Sequence, residues 1–511
     1  MLTTSSVMDG NQGVAVLGPF PHPVEMHFPH LRRGHVHRAT LAIQAVEPEV
    51  ETFGWDTVFA VSIADVNRAI TRAGIPPMSF QFEDEDGSVT GTFGTWQLCR
   101  GGDGNFVCFA IPITAGAMHF GGKSYPIAGI TVIVELRLCY LSQTETATPQ
   151  GSYQNLVVRT HSTNPDEPLV TVRPLKYSGQ PLRLDVGWVM EGYLQAWFNR
   201  HLENFNHVFA TVALNRKVDH DGFEWLAPKY TGYAYVDGSN DANSYLGVLC
   251  MTLRPNADGL VAQLSQSAIP KNARAGFLIS QGLFLEKMVL PALPKAFRDA
   301  TEQDFAISAG KTAITNTRPV KTKTVTHDNV TYYPELEELK VRVVGDELWV
   351  ESHTQVELSS GIWGHIRSTH FLRLKLVNKP DGTQTISYEE SRDATVDTPW
   401  TTFSSGIEIG KIILEIFAAI VTLVLTVLTA GAFLVVALII VGLVMGLAIA
   451  APDIVAAVLK KDTLNDVPPI DLLVLNSTAP ITWSGASDFK LTSLNLNGSI
   501  QLGGDPGFSV T

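Results

Sequence analysis

The stretch Leu336–Leu376, LEELKVRVVGDELWVESHTQVELSSGIWGHIRSTHFLRLKL, alternates apolar and polar residues through three successive runs. Leu339, Val341 and Val343 share one face, Gly345-Asp346 reverses the chain, and Leu348, Val350, Val356 and Leu358 share the next. A period of two puts successive side chains on opposite sides of a strand, so each run is a half-buried β-strand. Ser359-Ser360-Gly361 then breaks the pattern before Phe371-Leu372-Arg373-Leu374-Lys375-Leu376 resumes it, and Pro380-Asp381-Gly382 sets another turn. Strands of about 12 residues are about twice the usual length. Long one-sided strands in an antiparallel meander must curl around apolar material, either helices or a ligand. The expected fold class is therefore α+β, with long, highly curved antiparallel sheets wrapped around long amphipathic or apolar helices as a tube or gutter.

Three segments are expected to supply those helices. Met190–His207 places Tyr193, Leu194, Trp197, Phe198 and His201 on or near one side. Gly276–Leu290, GFLISQGLFLEKMVL, reads as a second amphipathic helix, stopped by Pro291 and Pro294. The third is an apolar helical hairpin over 412–460, whose centre Ile416–Pro452 holds no charged residue. At about 37 residues it is too long for one straight membrane pass, and Ala430-Gly431 divides it into two helices. A helix apolar on every face is buried in a protein core or in lipid. Burial in the core is the leading expectation. In the alternative, the hairpin inserts into a membrane, with Leu423, Leu425, Leu434 and Ile439 as its contacts. The residues expected to line an apolar ligand groove are Tyr193, Trp197, Phe277 and Phe284, with Leu348, Val350, Leu372 and Leu374 from the strands.

Upstream, residues 1–47 form an extension rich in His and Arg, including His22, His27, His30, His35 and His37 beside Arg32, Arg33 and Arg38. No Cys or carboxylate follows at metal-ligand spacing, so this is a basic arm and not a metal centre. The main domain spans 48–505. Ser62 caps a helix with Asp65 at its third position, and the helix ends before Gly74-Ile75-Pro76-Pro77. From 78 to about 175 the signal is β, and strands return at Val208–Leu214 and Ser244–Thr252. A hairpin turn at Asp103-Gly104 would set Cys99 opposite Cys108, a pair expected to remain reduced.

Composition and motifs exclude several functions. The 511-residue chain carries a net charge of −13, which argues against nucleic acid as the main partner. The N-terminus lacks a basic region followed by an apolar core, so synthesis in the cytoplasm without a signal peptide is expected, with any release by a non-classical route. Gly122-Lys123-Ser124 lacks the first glycine of a phosphate loop, since position 117 is alanine. FEDEDGS, Phe82–Ser88, puts Phe82 where a calcium loop needs a carboxylate. Asp237–Asp241 reads as a solvated acidic turn. GxSxG, HExxH and CxxC are absent from the sequence. No catalytic residue, metal ligand or cofactor is expected, and the chain is read as non-enzymatic.

FGWDTVFA with the following DVN, Phe53–Asn67, resembles the TULIP (tubular lipid-binding) proteins, in particular the forty-seven-kilodalton and OrfX proteins of clostridial neurotoxin gene clusters. Leu246–Cys250, Gly276–Ser280, Leu283–Lys287 and Leu494–Gly498 are similar to the same family in the same order. The resemblance implies a curved antiparallel sheet on helices, an apolar groove, lipid or other apolar ligand binding, and protein partners from the same cluster. It implies no catalytic residue. Alternatives are membrane insertion through 416–452 and a lipid-free protein-interaction scaffold.

Overall fold

The computed structural model describes residues 49–73, 78–138, 141–142, 152–155, 168–202, 204–205, 211–214, 224–322, 324–327, 329–378, 384–392, 395–397, 400–402, 481–482 and 489–506. The 1–47 extension, the 412–460 hairpin with Leu423, Leu425, Leu434 and Ile439, and the 380–382 turn lie outside them.

A six-stranded antiparallel sheet runs in the order Tyr230–Val236, Tyr245–Met251, Thr57–Ser62, Ala275–Ile279, Ser499–Asp505, Lys490–Asn497. Every residue of Thr57–Ser62 is buried. Phe59 and Val61 enter the main core, while Val58 and Ala60 enter a smaller core on the opposite face. Burial on both faces explains why these strands read as continuous apolar runs.

The FGWDT turn leads into this strand. Phe53 and Gly54 both have positive φ, 52° and 87°, and a side chain at Gly54 would meet Leu260 at 2.8 Å. Trp55 donates Nε1–H to the Val261 carbonyl at 2.9 Å and stacks on Tyr230. The Asp56 carboxylate accepts the backbone N–H groups of Thr252 and Leu253 at 2.8 and 3.0 Å. Its own carbonyl accepts from Ser280 N–H.

Helix α1, Ile63–Ala73, starts as its cap implies: Ser62 Oγ accepts the Asp65 N–H and donates to the Asp65 carboxylate. Asp65 also pairs with Arg68 and Arg274, and Arg274 reaches Asp505 at 3.3 Å. Burial alone would raise the Asp65 pKa, but hydrogen bonds from Arg274, Arg68 and Ser62 outweigh it and hold the carboxyl below the usual range.

A seven-stranded sheet follows the order Val170–Tyr177, Ile130–Arg137, Phe106–Phe120, Gly87–Phe93, Ser79–Glu83, with Gln97–Asp103 and Lys123–Pro126 also on Phe106–Phe120. Cys99 pairs with Cys108, but by a different route from the expected one. The turn is Gly104-Asn105, since Asp103 pairs with Phe106, and an irregularity between Cys99 and Asp103 restores the register. Both thiols are free. Burial pushes Cys99 to about 12 and Cys108 to about 11.

Helix α2, Leu184–Arg200, begins six residues before Met190 and ends by Arg200. Val186, Met190, Tyr193, Leu194, Trp197 and Phe198 are its buried face. Glu191, Gln195 and Asn199, four apart, form a second, polar stripe that closes the edge of Val170–Tyr177. Glu191 accepts the Leu175 N–H, Gln195 that of Val172, and Asn199 those of Leu169 and Val170, all at 3.1–3.2 Å. Asn199 also donates to the Val170 carbonyl at 2.8 Å.

The expected long strands form a nine-stranded sheet: Phe305–Ile307, Ala313–Asn316, Glu335–Val344, Glu347–Ser359, Ile362–Asn378, Gln384–Glu390, with three short strands beside it. The three central strands have 10, 13 and 17 residues. Gly345-Asp346 makes the first turn, with Gly345 at φ 59°.

Two expectations are corrected. Gly276–Leu290 is not one helix: Ala275–Ile279 is a strand with every residue buried, and Ser280 then caps irregular helical turns over Gln281–Ala296. A short apolar run buried on both faces cannot be told from a buried helix by periodicity. The α+β tube wrapped on helices is also overturned. The described residues form mostly antiparallel sheets with one long helix, α2, and no closed barrel. One apolar core joins all three large sheets, through Phe59, Phe109 and Val350 among others, so sheet side chains cover one another's inner faces.

The edge ties give a direct test. Asn199→Ala removes partners from two strand N–H groups and one carbonyl, and should destabilise by about 1–3 kcal/mol in urea unfolding. Gly192→Ala, on the same helix with open space around it, should stabilise by up to about 1 kcal/mol.

Candidate functional site

The eight residues expected to line a groove all lie in the main core, none more than 8% exposed. Tyr193 and Trp197 face the Ser79–Glu83 hairpin. The Tyr193 hydroxyl donates to Asp84 and its ring lies 5.1 Å from Phe82. Trp197 packs edge-on to Phe93 at 5.4 Å and stacks on His201 at 4.4 Å. Phe277 and Phe284 are fully buried beneath the six-stranded sheet and the turns after it. Leu348, Val350, Leu372 and Leu374 are on the inner face of the long strands, as their alternation implies. The structure buries all eight in the main core, and none of them lines an open groove among the described residues.

The most exposed large apolar side chains are elsewhere. Leu184 is 68% and Trp188 64% exposed, one helical turn apart at the start of α2. Arg183 and Asp185, an exposed ion pair, flank them. The sequence reading missed this turn because its apolar residues do not continue the buried face of Tyr193, Leu194, Trp197 and Phe198. An unabsorbed Leu-x-x-x-Trp just ahead of that face was the available signal.

The outer face of the nine-stranded sheet carries two aromatic clusters that alternation alone would class as polar. In one, Trp349 meets Phe371 edge-to-face at 5.0 Å, and the guanidinium groups of Arg342 and Arg392 cover them. In the other, Trp400 stacks on His365 at 5.3 Å and His353 at 5.5 Å, with Arg367 5.5 Å from its ring. His353 Nε2 and His365 Nδ1 are 3.3 Å apart. Trp400 remains 37% exposed.

The acidic turn at Asp237–Asp241 is only partly solvated. Asp237 accepts the Gly101 N–H and the Tyr235 hydroxyl, whereas Asp241 is exposed. Among the described residues no three or more His, Cys, Asp or Glu side chains are grouped to hold a metal, and no helix is long and apolar enough to cross a membrane.

Burial, then the Arg367 charge, lowers both His353 and His365 below the ordinary imidazole value, with Glu338 opposing at His353 and His365 adding to the lowering there. A depressed imidazole favours folding in its neutral form, so this contribution is complete above about pH 6.5 and is lost as pH falls through the lower folded values. The melting temperature of the intact chain should therefore fall from pH 7 to 5. His353→Gln with His365→Gln should flatten that slope, and an unchanged slope would assign it to other groups.

A family model described as OrfX-like, Protein OrfX2/OrfX3/P47, matches residues 52–504. Protein OrfX3 of Paraclostridium bifermentans is 30% identical over 488 residues, covering 89% of this chain and 98% of that protein. Protein OrfX3 of Clostridium botulinum (strain Kyoto / Type A2) is 30% identical over 489 residues with the same coverage. The structure of P47 from Clostridium botulinum A2 shares the fold, with a TM-score of 0.60 at 18% identity over 89% of this chain and 98% of that one. The match runs from the FGWDT turn to the last strand of the six-stranded sheet, and on it the chain belongs to the OrfX-like family.

Proposed function

We propose that this chain is a non-catalytic accessory protein of a toxin-type gene cluster, acting by binding a protein encoded in the same cluster. The observation that carries this reading is the exposure of Leu184 and Trp188 on a helix whose other faces are fully used. Two large apolar side chains in water give nothing to folding, and a partner that covers them gains about 1.5–3 kcal/mol per side chain. Tryptophan anchors of this kind dominate many interfaces. A carrier for lipid or another apolar ligand is the competing reading, supported by the resemblance to tubular lipid-binding proteins. It ranks lower because the eight side chains it would use are all buried within the main core.

The test is co-expression of the full chain with each protein encoded beside its gene, followed by sedimentation of the purified mixture. A complex with one of them is expected. Leu184→Ala with Trp188→Ala should weaken it by about thirtyfold or more, with an unchanged circular dichroism spectrum. No complex with any neighbour, or equal affinity in the double variant, would overturn the reading. Lipid at fixed stoichiometry in an organic extract of detergent-free protein would favour the carrier instead.

A further inference from the structure

Beside the Trp400 cluster, the outer face of the nine-stranded sheet holds a hollow of about 520 Å³. Its wall includes Glu338 and Lys340 on Glu335–Val344, Arg367 and Thr369 on Ile362–Asn378, and Asp397 just after Thr395–Val396. Two further carboxylates in the wall are already engaged. Glu351 pairs with Arg342 at 2.7 Å, and Glu337 accepts the Gln355 amide. What remains is Lys340 and Arg367 against Glu338, Asp397 and Glu337, whose charge the neutral Gln355 amide leaves in place: two cations and three anions. Arg367 and Glu338 are only loosely paired, 3.8 Å apart and both largely exposed.

This balance selects a ligand class. An anion such as phosphate would meet three carboxylates, and a cation would meet Lys340 and Arg367. An apolar chain would strip water from five charges and return no hydrogen bonds. A neutral polyhydroxylated ring satisfies all of them, because each hydroxyl both donates and accepts and a vicinal pair matches the fork of a carboxylate or a guanidinium. Such a ring also has an apolar C–H face that needs a flat partner. Trp400 is that partner: an indole lying on two imidazoles, still 37% exposed, and joined to the hollow through Arg367. Strands and stacked rings fix its orientation, so little side-chain freedom is lost on binding. We infer that the hollow, with Trp400 as its stacking platform, is a binding site for a neutral carbohydrate. The site is separate from the Leu184–Trp188 turn, and the inference does not rest on the partner-binding reading.

The experiment is saturation-transfer NMR on the purified full chain with di- and trisaccharides of glucose, galactose, mannose and N-acetylglucosamine, and with inorganic phosphate as competitor. At least one saccharide should receive saturation on its ring C–H protons and bind with millimolar or better affinity. Trp400→Ala should weaken that binding about tenfold or more. Asp397→Asn, an exposed change that leaves the aromatic stack intact, should also weaken it, and Gly192→Ala should not. Absence of transfer to every saccharide would overturn the inference. So would binding that survives both Trp400→Ala and Asp397→Asn, or displacement of the sugar by phosphate.

Discussion

Open antiparallel sheets leave rows of backbone N–H and C=O groups at their edges, and an unprotected edge invites pairing with another chain. None of the large sheets described closes on itself, so each edge needs another answer. Helical side chains supply it twice. Asn67 of α1 donates to the Leu98 carbonyl at 2.9 Å and accepts the Leu98 N–H at 2.7 Å. Glu191, Gln195 and Asn199 of α2 do the same work along Val170–Tyr177 with a residue every helical turn. The spacing works because four helical residues rise about 6 Å, close to the spacing of alternate strand residues, and the irregularity between Arg173 and Lys176 absorbs the extra residue between Val172 and Leu175. The two helices thus terminate sheets, and in α2 that task coexists with an apolar face buried in the core.

The same reasoning assigns a role to the stretch that carries the family resemblance. Trp55, Asp56, Asp65 and Asn67 are conspicuous polar or aromatic residues, and a catalytic reading of them is tempting. Each is instead consumed by a structural tie. Trp55 holds the Val261 loop, Asp56 caps two backbone N–H groups after Tyr245–Met251, Asp65 joins α1 to Arg274, and Asn67 closes a strand edge. A buried carboxylate that accepts backbone N–H groups, as Asp56 does, or pairs with arginine, as Asp65 does, stabilises the junction it closes.

The long strands were legible because one face is apolar and the other polar, so Leu339, Val341, Leu348 and Val350 announce their period. The cap on α1 was legible because Ser62 and Asp65 have one local function. Ala275–Ile279 was not, since burial on both faces erases the period that separates strand from helix. Tyr193, Trp197, Phe277 and Phe284, read as groove residues, are buried in an apolar interior. Sequence cannot show whether an interior is filled, because the filling residues come from other sheets. The start of α2 was lost for the opposite reason: Leu184 and Trp188 are apolar but point away from the core. The Cys99–Cys108 register came out right although the turn was one residue off, because the irregularity before Asp103 compensated.

The two aromatic clusters on the outer face of the nine-stranded sheet show why residue type alone does not mark a site. Both contain a tryptophan, a second ring system and an arginine on neighbouring strands. Around Trp349 every valence is used: the indole N–H goes to Glu347, Arg342 is held by Glu351, and Arg392 bridges Glu347 to the rings. That cluster is closed and stiffens a strand crossing. Around Trp400 the imidazoles back the indole, Arg367 is held only at long range, and the ring is left in contact with water. Among the described residues the inner faces are consumed by one another, which leaves outer faces and helix ends for recognition. The open cluster and the exposed turn of α2 are where those faces remain unsatisfied.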